Sequence, residues 1–86
     1  MFDITLSNHA QKFLNKADNQ LYDRITDHIK ALAINPFPKE SCRIVGRKEK
    51  IFRIRVGDYR IQYTVFYEKN EIIITDIDKR SRAYQF

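Results

Sequence analysis

Apolar positions change their period twice along this chain. Phe2, Ile4 and Leu6 alternate with Asp3 and Thr5, the period of two expected of a short, half-buried strand. Ser7 can then cap a helix, and Ala10, Phe13, Leu14 and Ala17 follow at helical spacing, which predicts a first helix over about residues 8–16. Asp18 offers a second cap. Beyond it Leu21, Ile25, Ile29 and Leu32 form an apolar stripe, and this helix must finish by Asn35 because Pro36 disfavours helical geometry in the residue before it. Residues 35–41, with Pro36 and Pro38, read as a loop crossing from the helical hairpin to the next element.

From Ile51 the period returns to two, and three strands are expected over about 51–56, 59–67 and 71–77. Gly57-Asp58, glycine first, is a two-residue hairpin loop, so Val56 should pair with Tyr59 and Arg55 with Arg60. One side of this hairpin then carries Phe52, Ile54, Val56, Tyr59, Ile61 and Tyr63 and can receive the helices. The other carries Arg53, Arg55, Arg60, Gln62 and Thr64. With Lys69-Asn70 as the second loop, Lys79 would stand beside Arg60 and Arg80 just beyond it. The expected architecture is α+β, one domain over residues 1–86: an N-terminal strand, a helical hairpin, then a three-stranded antiparallel meander with the helices on one sheet face.

Composition narrows the class. At 86 residues with 43% hydrophobic and 31% charged side chains, the chain can build a single small core and is neither disordered nor membrane-spanning. No basic segment with an apolar signal core follows Met1, and the single cysteine, Cys42, can form no internal disulfide, so a cytoplasmic location is expected. The net charge of +5 is uneven. Residues 1–40 balance, whereas between Arg43 and Arg60 seven basic residues face only Glu49 and Asp58. Such clustering attracts polyanions and is the usual footprint of nucleic-acid binding.

Like charges directly opposed on a sheet are destabilising, so Arg55 against Arg60 is a poor choice for a surface that has no ligand. Arginine presents a planar fork that matches phosphate oxygens and stays charged at any relevant pH. In RNA the 2′-hydroxyl can attack its own phosphodiester, a reaction needing in-line geometry, charge stabilisation and proton transfers but no metal. No metal-ligand spacing or phosphate-cradling glycine loop is present: His9 and His28 stand isolated on the two helices, and the only glycines are Gly46 and Gly57. His28, beside the apolar stripe, reads as a packing residue. Tyr84 and Phe86 follow the basic run Lys79-Arg80-Ser81-Arg82, where an aromatic can stack on a splayed base or, as tyrosine, move a proton, or simply pack the C-terminal tail.

The phrase Phe52-Arg53-Ile54-Arg55-Val56-Gly57-Asp58-Tyr59-Arg60-Ile61-Gln62-Tyr63, followed by Ile77-Asp78-Lys79-Arg80-Ser81-Arg82-Ala83-Tyr84, resembles the RelE branch of the RelE/ParE superfamily of toxins from prokaryotic toxin–antitoxin systems. The order of elements matches over essentially the whole chain. The resemblance implies a ribosome-dependent endoribonuclease that cuts mRNA in the decoding A site without metal or small-molecule cofactor, silenced by a cognate antitoxin. Its expected partners are antitoxin, ribosome and mRNA. It implies further that Arg53, Arg55, Arg60 and Arg80 hold the family's functional basic positions, with Tyr84 nearest its terminal tyrosine, so Arg60, Arg80, Arg53 and Tyr84 are the catalytic candidates; from the charge clustering, Arg43, Arg47, Lys48, Lys50, Arg55, Lys79 and Arg82 are expected to contact RNA or ribosome. Some members carry lysines where Arg53 and Arg55 stand, so a lysine general base is not available at those positions here. The alternatives are a ParE-like toxin acting on DNA gyrase, and a non-catalytic RNA- or ribosome-binding module.

Overall fold

The computed structural model describes residues 1–44 and 50–79. Ser7 caps the first helix as its position suggests: the Ala10 amide donates to Ser7 Oγ, and α1 runs over Asn8–Lys16 after strand β1 at Asp3–Leu6. Asp18 accepts from the Leu21 amide at 2.8 Å and opens α2, Asn19–Ile34, which stops at Asn35 before Pro36. Removing either cap would leave backbone donors of the first turn unpaired, at a cost of about 1 kcal/mol. A two-residue edge strand β2, Cys42–Arg43, follows the crossing loop, and then β3 (Ile51–Val56), β4 (Tyr59–Phe66) and β5 (Glu71–Lys79).

The five strands form one mixed sheet in the order β1-β5-β4-β3-β2. The β3–β4 register is the one dictated by the Gly57-Asp58 turn, with Val56 opposite Tyr59, Arg55 opposite Arg60 and Arg53 opposite Gln62. Gly57 sits at φ +59°, a backbone conformation that favours glycine, and a Cβ there would meet only the flexible end of the exposed Arg24 side chain.

The β4–β5 register differs from the expected one. The connection is four residues long rather than two: Tyr67–Lys69 form a single 3-10 turn, Asn70 adopts a left-handed conformation at φ 53°, and Phe66 opposes Glu71. A bulge follows, since Tyr63 opposes Ile74 whereas Gln62 opposes Asp76, leaving Thr75 as the extra residue. Together these shifts place Asp78, not Lys79, opposite Arg60, and put Lys79 opposite Tyr59.

The bulge also explains how β5 keeps its isoleucines inside. Ile72 and Ile74 alternate, then one residue is skipped and Ile77 returns to the core. These three join Ile54, Val56, Ile61 and Tyr63 from β3 and β4 with Ala10 and Leu14 of α1 and Ile25, Ile29 and Leu32 of α2 in one cluster. A fully buried isoleucine contributes roughly 1.5–3 kcal/mol, so this layer carries the stability of the domain. Tyr63 is completely buried, but its hydroxyl donates to the Pro36 carbonyl at 2.6 Å, tying β4 to the loop after α2. Burial pushes that phenol up to about 12.

Candidate nucleic-acid interface

With the helices on one face, the strand alternation leaves the opposite parity of β3, β4 and β5 for other work. Two rows cross it. Arg55, Arg60 and Asp78 are successive register partners in one, and Arg53, Gln62 and Asp76 in the other. Adjacent strands lie about 4.8 Å apart. Arg53, Arg55 and Arg60 therefore share one short stretch of surface held by a hydrogen-bonded ladder.

Arg60 is the most unusual of them. It is half-buried, and its Nε is sealed from solvent yet has no hydrogen-bond partner among the described residues. A buried donor without a partner on a charged group costs free energy, so stability alone does not explain an arginine at this position.

The remaining candidates divide. Arg43 opposes Phe52, so its register gives it the parity opposite to that of Arg53, on the exposed edge strand. Lys50 is exposed just before β3 and can reach only the margin of the arginine surface. Lys79, opposite Tyr59, does not join Arg60 as the expected register required. Arg47, Lys48, Arg80, Arg82 and Tyr84 lie outside the described residues. His28 is half-buried, with Nδ1 2.9 Å from the Arg24 carbonyl oxygen.

His9 is the residue that spacing alone did not find. The Ser7 amide donates to the Ile74 carbonyl and Ser7 Oγ donates to the carbonyl of Thr75, the bulged residue, so the start of α1 is fastened to the bulge. Two residues on, His9 Nε2 lies 2.7 Å from Asp76 Oδ1 and 3.8 Å from Asp78 Oδ1. Asp76 Oδ1 is buried and completes no hydrogen bond of good geometry despite that short distance, so the contact acts through charge. These three side chains bring one donor atom each within 4.8 Å of one another, the spacing of a partial metal shell.

Burial first, then the hydrogen bond and charge of Asp78, push the Asp76 carboxyl up from its ordinary 3.8 to about 6, against the opposing pull of His9. A raised carboxyl favours the protonated form in the fold, so the stability linked to it is fully present below about pH 3.8 and is lost as pH rises through about 6. Asp76→Asn, which mimics the protonated form, should therefore raise the melting temperature at pH 8, with the gain vanishing below pH 4. Thermal melts across that range check it. A loss of stability at pH 8 would mean that the His9 contact outweighs burial.

Beside this cluster α1 and β5 enclose a groove of about 330 Å³ lined by His9, Lys12, Phe13, Lys16, Ile77 and Asp78. Phe13 is held there edge-on against Tyr59, with ring centroids 5.6 Å apart. Among the described residues no helix is long and apolar enough to cross a membrane.

Comparison with known proteins agrees with this architecture. Residues 4–84 match the family model described as the ParE toxin of type II toxin–antitoxin system, parDE. A protein named as toxin RelE1 of Methanocaldococcus jannaschii is 30% identical over 86 residues, covering 98% of this chain and 96% of its own. The archaeal RelE–RelB complex from Pyrococcus horikoshii contains a chain that superposes with a TM-score of 0.81 at 25% identity, over 94% of this chain and 97% of that one. A chain of the intact E. coli RelBE toxin–antitoxin complex gives a TM-score of 0.75 at 16% identity, over 92% and 96%.

Proposed function

This chain belongs to the RelE/ParE superfamily of type II toxin–antitoxin toxins, on its RelE-like side, and from that premise we propose that it is an endoribonuclease that cuts mRNA in the ribosomal A site. The observation that carries this reading is Arg60: a half-buried arginine on a strand of the sheet, in a row with Arg55 and beside Arg53, whose Nε has no partner among the described residues. Such a group is built to receive phosphate oxygens, and to stabilise the extra negative charge of a pentavalent phosphorus once the 2′-hydroxyl attacks.

Among the described residues Arg53, Arg55 and Arg60 stand on the outer side of a sheet. In-line geometry at the scissile phosphate must then be imposed by a second body, which is the part the ribosome would play. The partner in the Pyrococcus horikoshii complex is RelB, and an antitoxin of that kind is the expected inhibitor here. To silence the toxin it must neutralise the arginine face, with acidic side chains or by occlusion.

The matching family model bears the ParE description, and this favours one rival, a toxin acting on DNA gyrase by protein contact. One experiment separates them. After brief induction of the chain in cells, mRNA 5′ ends are mapped and plasmid supercoiling is assayed. New ends inside translated codons are the expected result. Altered supercoiling without new ends would transfer the activity to gyrase, and neither change would leave only a binding module.

A further inference from the structure

Arginines can hold a phosphate and stabilise charge, but at neutral pH they cannot accept a proton, and the 2′-hydroxyl must lose one. We propose that His9, held by Asp76, is the proton-transfer residue of this chain's RNA cleavage, a role that rests on the endoribonuclease reading above.

Three independent features of the fold carry it. The first is the dyad. In the neutral tautomer with its proton on Nε2 the imidazole keeps a lone pair on Nδ1, and Asp76 Oδ1, 2.7 Å from Nε2, keeps the ring at the edge of β5. Asp76 is 27% exposed and His9 63% exposed, so the carboxylate is the inner member and the imidazole the one a substrate can reach.

The second is position. His9 Nε2 is 3.8 Å from Asp78 Oδ1, and Asp78 is the register partner of Arg60, so the imidazole reaches the strand row in which Arg60 stands. The third is the groove of about 330 Å³ that His9 borders, which suits one nucleotide: Lys12 and Lys16 follow His9 along one face of α1, and Phe13 offers an aromatic edge. Among the described residues the charged groups at His9 are Asp76 and Asp78 of β5, with Lys12 and Lys16 of its own helix on the same groove, and Arg60 of β4 is the register partner of Asp78.

The step balances without a metal or oxidant. Nδ1 takes the 2′-hydroxyl proton as the 2′-oxygen forms its bond to phosphorus, the bond from phosphorus to the 5′-oxygen breaks, and that oxygen leaves with a proton from water. The products are a 2′,3′-cyclic phosphate and a 5′-hydroxyl. The imidazolium then returns its proton to solvent. Asp76 acts as a positioning residue.

The test is single-turnover cleavage on mRNA-programmed ribosomes at saturating toxin, from pH 5 to 9, with EDTA present. His9→Ala should slow cutting at pH 7 by roughly 100-fold and flatten the acid limb of the profile. Added imidazole should restore part of the rate to His9→Ala and none to Arg60→Ala, a response that a merely structural histidine would not give. Asp76→Asn should slow cutting too, by less than His9→Ala does, and Asp76→Glu should recover part of that loss. A His9→Ala protein that cuts at the parent rate with the parent profile would overturn the role of His9 and leave the endoribonuclease reading standing. Failure of the parent protein to cut would overturn that reading instead. Cleavage abolished by EDTA and restored by Mn²⁺ only when His9 is present would recast the three side chains as metal ligands and overturn the proton-transfer role.

Discussion

Arg60→Ala should lower the single-turnover rate of mRNA cleavage on ribosomes by roughly 10³, with ribosome affinity little changed and the fold intact. Removing one preorganised donor that meets charge developing in the transition state costs about 3–4 kcal/mol, and Arg60 is held half-buried on the ladder between Arg55 and Asp78. The loss should fall on the chemical step, because Arg53 and Arg55 remain on the same face to hold the RNA backbone. Stability should move by no more than about 0.5 kcal/mol, since the side chain lies on the face away from the core and its loss relieves the repulsion of Arg55. Lys50→Ala is the contrast: an exposed cation at the margin, whose loss should weaken association more at low salt than at high salt while the saturated rate persists. If Arg60→Ala cut at the parent rate once bound, the guanidinium would serve only to attract RNA.

The arginine surface was legible in the sequence because two local rules act together. Alternation assigns Arg53, Arg55 and Arg60 to one face, and a glycine-first two-residue turn fixes which residues oppose each other, so neither inference needs a long-range contact. The helix starts at Ser7 and Asp18 were legible for the same reason, each cap satisfying a donor only three residues ahead. The register of β5 was not. Its loop has no glycine to mark it, and Asn70 supplies the left-handed residue instead, so the turn was placed across Lys69-Asn70 and the strand slid. The bulge did leave a trace: the apolar spacing Ile72, Ile74, Ile77 breaks from two to three, which signals an inserted residue in a strand that keeps one face buried.

Other features depend on contacts between the two ends of the chain. The parallel pairing of β1 with β5 joins Asp3 to Glu71, and alternation shows which face a strand buries, not which neighbour it takes. His9 stood isolated in the sequence because both its partners, Asp76 and Asp78, lie at the far end, on a strand whose bulge brings them to the start of α1. Without the register of β5, the carboxylates could not be assigned to the arginine face at all.

The rigidity that this site requires comes from the layer beneath it, so Ile61→Ala should have the largest effect on stability. Ile61 is wholly buried in β4, with Ile54 of β3 and Ile77 of β5 as register partners on either side, both also buried. Because backbone ladders hold the neighbouring strands in place, the space vacated by the side chain cannot be refilled by small movements, and the cavity term adds to the lost transfer free energy. The expected cost is about 3–4 kcal/mol, a large share of the stability of so small a domain, and the melting temperature should fall by roughly 15–25 °C. Denaturant titration should show a lower midpoint with an unchanged slope, because the same surface is exposed on unfolding. At a temperature where the variant stays folded, cleavage per folded molecule should fall less than tenfold, since the Gly57 turn and the β3–β4 ladder still set where Arg60 stands. A cost below about 1 kcal/mol would mean that the sheet relaxes into the cavity, and the premise that the arginines stand on a rigid platform would have to be given up.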